Sequence, residues 1–125
     1  MPRLSAATAL AAAALSAACS VGAYISIGPA DDPPSINLAV SPASAARGET
    51  VNLAAAAVDD YRVVEVVFYR LDVGGNTLLG RDSNAPYALD TVIPVAAGSE
   101  VLYFARAIDD AGQVGESQPV ALAVH

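Results

Sequence analysis

Three adjacent pairs of aspartates, Asp31-Asp32, Asp59-Asp60 and Asp109-Asp110, are the densest concentration of ligand-type side chains in this 125-residue chain. Carboxylate oxygens are hard donors. Six of them brought together would repel one another unless a cation neutralised them, and Ca²⁺ is the ion such a set suits. Aspartates in turns also have a simpler use, accepting hydrogen bonds from the backbone N–H groups of their own turn. Other chemistry is thin. His125 is the only histidine and the last residue, so a histidine-based triad has no supported base. There is no lysine for Schiff-base chemistry, and no ligand-spaced pair of histidines or cysteines to hold zinc. Paired carboxylates can hydrolyse glycosides, but the sequence shows neither a substrate cleft nor an aromatic platform. The chain reads as a non-enzyme with no obligatory cofactor, Ca²⁺ being the one candidate.

The single cysteine, Cys19, excludes an internal disulfide and stands at the end of an apolar run. Arg3 precedes a stretch from Leu4 to Ala18, about 15 residues where a comfortable membrane span needs roughly 20. That is the length of the apolar region of a secretory signal, ending in small residues, Ser16-Ala17-Ala18. With Cys19 directly after them, the segment resembles a bacterial lipoprotein signal. The resemblance implies cleavage after residue 18 and acylation of Cys19 as the new N-terminus. Two or three acyl chains would then hold the protein to a membrane, each buried methylene contributing about 0.8 kcal/mol. Ser20 in place of Asp implies by the same pattern that outer-membrane sorting is open. The expected location is the cell envelope, as an exported, membrane-anchored protein; with Cys19 incidental, the same signal would give a secreted or periplasmic soluble one.

Composition narrows the partners. Thirteen acidic residues face six arginines, a net charge of −7, and loss of the signal removes Arg3 as well. The remaining arginines are scattered singly, so nucleic acid, which demands a clustered basic face, is excluded as a partner. Trp is absent and only seven residues are aromatic. The core must therefore rest on Val, Leu, Ile and Ala, with Phe68 and a few tyrosines as its large members.

The elements that would position these groups are short and regularly spaced. Residues 19–34 read as the lipid-attachment cysteine and a tether, punctuated by Gly28-Pro29 and Pro33-Pro34. From residue 35 to 125, seven β-type runs alternate with turn signals: Ile36–Val40, Thr50–Val58, Val63–Leu71, Thr77–Gly80, Tyr87–Val92, Glu100–Ile108 and Pro119–Val124. Outside the signal no segment sustains a helical period. This predicts an all-β sandwich or barrel behind a helical signal peptide.

The order of motifs sharpens that prediction. Pro33-Pro34 opens the series, Gly48–Val51 enters the second run, and Asp59-Asp60 precedes the third. Val66-x-Phe68-Tyr69, Leu79-Gly80, Ala85-Pro86-Tyr87 and Ala105-x-Ala107-x-Asp109-x-x-Gly112 follow. Over about 90 residues this succession resembles the bacterial immunoglobulin-like domain, a fold of the immunoglobulin and fibronectin-III type. It departs from the usual pattern at Arg62 and Gln113. The resemblance implies a seven-stranded antiparallel immunoglobulin-like β-sandwich used as a spacer, adhesive or carbohydrate-adjacent module. Fold alone does not name a ligand.

Two surfaces follow from the resemblance. The turns carrying Asp59-Asp60 and Asp109-Asp110 would share one end of the sandwich, and Asp31-Asp32 could reach it. The runs Val63–Leu71 and Glu100–Ile108 would be neighbours in one sheet. Period-two alternation then turns Val64, Val66, Phe68, Tyr103, Ala105 and Ala107 inward. Val67, Tyr69, Leu102 and Phe104 turn outward as an apolar patch, the mark of an interaction site or a covered surface. Either a protein partner or second copy docks there, or the tether's own Tyr24-Ile25-Ser26-Ile27 folds over it. Carbohydrate binding is a weak third, with Tyr61 and Tyr87 its only loop-adjacent platforms. The reading favoured is a lipid-anchored binding or scaffolding module, with a cation-stabilised spacer as the alternative.

Overall fold

The structure, a computed structural model, describes residues 32–125, which form one compact unit. Cys19, Asp31 and the signal and tether segments through residue 31 lie outside the described residues. Nine strands follow one another: β1 (Ser35–Ser41), β2 (Ser44–Ala45), β3 (Thr50–Val58), β4 (Val63–Asp72), β5 (Gly75–Asp82), β6 (Tyr87–Val92), β7 (Glu100–Asp109), β8 (Val114–Glu116) and β9 (Val120–Val124). There is no helix among the described residues.

The strands divide between two sheets, one ordered β1-β3-β6 and the other β2-β9-β7-β4-β5, with β8 also pairing β7. Alternation dictates which side chains meet between them. In β1, Ile36 is buried and Leu38 and Val40 pack on the core, while Asn37 and Ala39 face solvent. In β3, Val51 and Leu53 are buried and Ala55 and Ala57 pack behind them. From the opposing sheet come Val66 and Phe68 of β4, Tyr103, Ala105 and Ala107 of β7, and Leu122 and Val124 of β9. Large residues oppose small ones: Phe68 pairs with Ala105 and Val66 with Ala107. A core short of aromatics is thereby filled by small residues set against its few large ones. Burying a side chain like Phe68 contributes about 2–3 kcal/mol.

Two strands were not anticipated. After Ser41-Pro42 the chain leaves the first sheet and crosses to the second, where β2 pairs in parallel with β9. Beyond Gly112, whose φ of +86° suits glycine, β8 pairs with the end of β7 before β9 takes over that edge. One expected inward residue is also misplaced. The β4–β7 register shifts between Val63 and Glu65, so Val63 packs on the core and Val64 is 38% exposed. A bulge inserts one extra residue and reverses the alternation on its far side.

Candidate functional site

At one end of the sandwich the β3–β4 and β7–β8 turns meet. The Asp110 N–H donates to the Arg62 carbonyl at 3.2 Å, tying the two turns together. Asp59 and Asp109 hold their own turns. Asp59 Oδ2 accepts from the N–H groups of Tyr61 and Arg62 at 3.3 and 3.1 Å. Asp109 Oδ1 accepts from those of Ala111 and Gln113 at 2.9 and 2.7 Å. The turn-capping use is therefore present for both. Asp60 Oδ2 faces the Asp32 N–H at 3.5 Å, and Asp110 is exposed.

Each capping carboxylate uses only one oxygen. Asp59 Oδ1, Asp109 Oδ2 and Gln113 Oε1 are buried with no hydrogen-bond donor. Asp109 is 2% exposed as a residue. Burial pushes the Asp59 carboxyl above the usual carboxylate range, the Tyr61 N–H offsets part of this, and the charges of Asp60 and Asp109 add to the rise. Among the described residues no three acidic, histidine or cysteine side chains are grouped so as to hold a metal by themselves. Of the six aspartates considered for such a cage, Asp31 lies outside the described residues, and the other five form no such group. What the structure joins is the Asp59 turn and the Asp109 turn, through the backbone hydrogen bond from Asp110 to Arg62.

The outer face of the β5-β4-β7 sheet carries the apolar residues expected of it, in rows across the strands. Directly paired residues share a face, so Leu78, Tyr69 and Phe104 form one row. Leu71, Leu102 and Ala121 form the next. On the other side lies Arg81, Val67, Arg106 and Glu116. The Tyr69 and Phe104 rings stack with centroids 4.9 Å apart. The Arg106 guanidinium lies over both, 4.9 Å from the Tyr69 centroid and 5.5 Å from that of Phe104. Glu116 accepts from Arg106 Nε at 2.9 Å and holds it there. The expectation of four exposed apolar residues needs correction: Val67 is only 2% exposed and Phe104 only 3%. The open part of the face is instead Leu78, 50% exposed, Leu71, and Val114 beside half-buried Ile108. Period-two reasoning places a side chain on a face, but not under a neighbour's guanidinium.

At the opposite end, Arg70 donates through Nε and Nη2 to the two oxygens of Asp72 at 2.8 and 3.2 Å, and the Thr77 hydroxyl donates to Asp72 as well. Arg70 and then Thr77 hold the Asp72 carboxyl below its usual range. Tyr103 is fully buried beside this pair, its hydroxyl without a partner and its pKa raised by burial. A cleft of about 360 Å³ opens here, lined by Arg70, Leu71, Val73, Pro94, Ala97 and Glu100. No sequence motif marked it, because its walls come from two distant segments, residues 70–73 and 94–101. The two tyrosines considered for carbohydrate stand apart: Tyr61 is exposed, whereas Tyr87 packs on the core.

No family model matches the chain, and no curated protein matches it. Among solved structures it is similar to the fibronectin(III)-like modules of CbhA from Clostridium thermocellum. The identity is 27%, covering 71% of this chain and 93% of that one, with a TM-score of 0.56. Spo0M, a sporulation control protein from Bacillus subtilis, is similar in fold alone: 7% identity, 75% of this chain and 50% of that one, TM-score 0.50. Two packed sheets of this strand order, together with the likeness to fibronectin(III)-like modules, make residues 32–125 an immunoglobulin/fibronectin-III-like β-sandwich, a structural or binding module.

Proposed function

We propose that this chain is exported, anchored through acylated Cys19, and serves as a non-catalytic module that docks a protein partner at the cell envelope. The observation that supports this is the outer face of the β5-β4-β7 sheet. There Leu71, Leu78 and Val114 stay open around the stack of half-buried Tyr69 on buried Phe104. Most monomeric domains place polar residues on such a face. Open leucines rimmed by Arg81, Glu65 and Glu116 have the anatomy of a protein interface, apolar at the centre and charged at the edge. Fibronectin(III)-like modules, to which the chain is similar, fit a binding role better than a catalytic one.

A second reading, a structural spacer, is favoured by the closure of Val67 and Phe104 beneath Arg106. The test is in-cell photocrosslinking with the crosslinkable residue in place of Leu78, which is open, rather than Phe104, which is not. A discrete heavier adduct supports docking, and mass spectrometry names the partner. An adduct of twice the monomer mass replaces the partner by a second copy. No adduct, or a label joined to residues 20–31 of the same chain, hands the function to the spacer reading.

A further inference from the structure

The outer face of the β5-β4-β7 sheet differs in charge from the rest of the molecule. The chain carries a net charge of −7. Yet the charged side chains within the rows of this face are two arginines and two glutamates, tied as Arg81–Glu65 and Arg106–Glu116. The acidic remainder of the chain repels a second copy, and this face does not. Its charges are also ordered. In the row Arg81, Val67, Arg106, Glu116 the outermost members have opposite sign, Arg81 on edge strand β5 and Glu116 on β8. Both side chains are more than half exposed. Each also keeps unused capacity: among the described hydrogen bonds Arg81 donates to Glu65 through Nη1 alone, and Glu116 accepts from Arg106 at Oε1 alone.

We propose, resting on the docking role of this face, that its partner is a second copy of this chain, packed face to face about a two-fold axis that runs parallel to the strands between β4 and β7. An isologous contact sets a patch against itself, so a patterned patch selects its axis. The strand-parallel axis keeps each row level with its own counterpart and reverses its order. Arg81 of one copy then meets Glu116 of the other, twice per dimer, and Leu71 meets Leu102. An in-plane axis perpendicular to the strands keeps the strand order and inverts the rows instead. Centred on the charged row, it sets Arg81 against Arg81. Centred between that row and the next, it sets Arg81 against Leu78. The first arrangement opposes like charges and the second strands a charge on an apolar side chain, and both are costly. Only the strand-parallel axis joins opposite charges at the rim and leucines at the centre, the anatomy of a specific interface.

Sedimentation equilibrium of the full-length protein, in a detergent matched in density to the buffer and from micromolar to millimolar concentration, tests this. The parent is compared with Arg81→Gln, Glu116→Gln, the double variant and Leu71→Asp. Within one chain Arg81 and Glu116 stand three strand spacings apart, about 14 Å, so independent effects on association would multiply. Across the proposed axis they form one contact. Each single substitution should therefore weaken the dimer about tenfold, and the double variant no more than either single one. Leu71→Asp, at a partly exposed position, should abolish the dimer while its melting curve stays near that of the parent. A dimer in which the two substitutions multiply overturns the proposal, because its copies meet in another orientation. An undiminished dimer in Leu71→Asp overturns it too. A monomer at every concentration overturns the second copy alone. The label at Leu78 then decides the docking role separately: an adduct with a different protein keeps that role, and no adduct removes it as well.

Discussion

Tyr69 and Phe104 lie nearly parallel, their ring planes 9° apart, on the side of the sheet away from the core. Such a pair on an outer surface would be a liability, and Arg106 supplies its cover. The guanidinium offers a flat cation to both rings while its Nε is held by Glu116. Arg106→Ala should therefore cost about 1–2 kcal/mol through lost stacking and packing. It should also increase binding of an apolar dye and promote self-association. Urea unfolding and sedimentation velocity read the two effects separately.

Phe104 and Leu78 sit in the same cross-strand row but in different environments. Phe104→Glu places a carboxylate where almost no solvent reaches and should destabilise the monomer by more than about 3 kcal/mol. Leu78→Glu alters a half-exposed position, and its effect on stability should stay within about 1 kcal/mol. Only the Leu78 variant tests docking cleanly. It should lose the partner in a pull-down from cell envelopes while its melting curve stays near that of the parent.

A Cβ placed on residue 115 would overlap the backbone of Pro34 at the entry to β1. Pro34 is itself buried, so the chain cannot give way without reopening the start of the domain. Gly115→Ala should cost about 1–3 kcal/mol, the range for overpacking. An unchanged m-value in urea with a lower midpoint would locate the cost in the folded state.

Acid should weaken the fold through two carboxylates. Asp72 is held low by Arg70 and Thr77, and Asp82 by the N–H groups of Ala88 and Asn84. Their stabilisation is present above the unfolded pKa of about 3.9 and disappears as pH falls through their lowered folded values. Asp59 has the opposite sign. Its carboxyl is raised in the fold, so its contribution is present at low pH and lost as pH rises through the folded value. Tm measured without divalent ions should fall below about pH 4. In Asp59→Asn the gain on mild acidification just above that region should vanish.

Anchoring is tested at one atom. Cys19→Ser should abolish incorporation of labelled palmitate and move the protein from the membrane pellet to the soluble fraction. Retention in the pellet without label would mean that something other than acylation holds it there.

The spacing of apolar runs and turns made the sandwich legible, because alternation and punctuation are local properties of the chain. Seven of the nine strands lie where those runs lie. β2 and β8 escaped notice for the same reason: two or three residues cannot display a period, and both depend on a partner already in place. Val64 was misplaced because a bulge is a property of a strand pair and not of one strand. At the acidic end, Asp59 and Asp109 could be singled out by type and position. Gln113 could not, since its type and position do not announce that its amide oxygen is buried without a donor. The Arg106 cover was equally hidden, because three residues on two strands create it.

The switch of the N-terminal strand between sheets has a mechanical consequence. β2 runs parallel to β9, the final strand, and further bonds flank the pair: the His125 N–H donates to the Ala45 carbonyl at 3.1 Å and that of Ala123 to the Ala43 carbonyl at 3.2 Å. Tension applied between residue 32 and residue 125 drags these two parallel segments past each other lengthwise. Their hydrogen bonds are then loaded together in shear, not peeled apart one at a time. A module tethered at its start and gripped beyond its end would meet this clasp once β1, which lies between residue 32 and β2, has come away from β3, and the clasp would then carry the load.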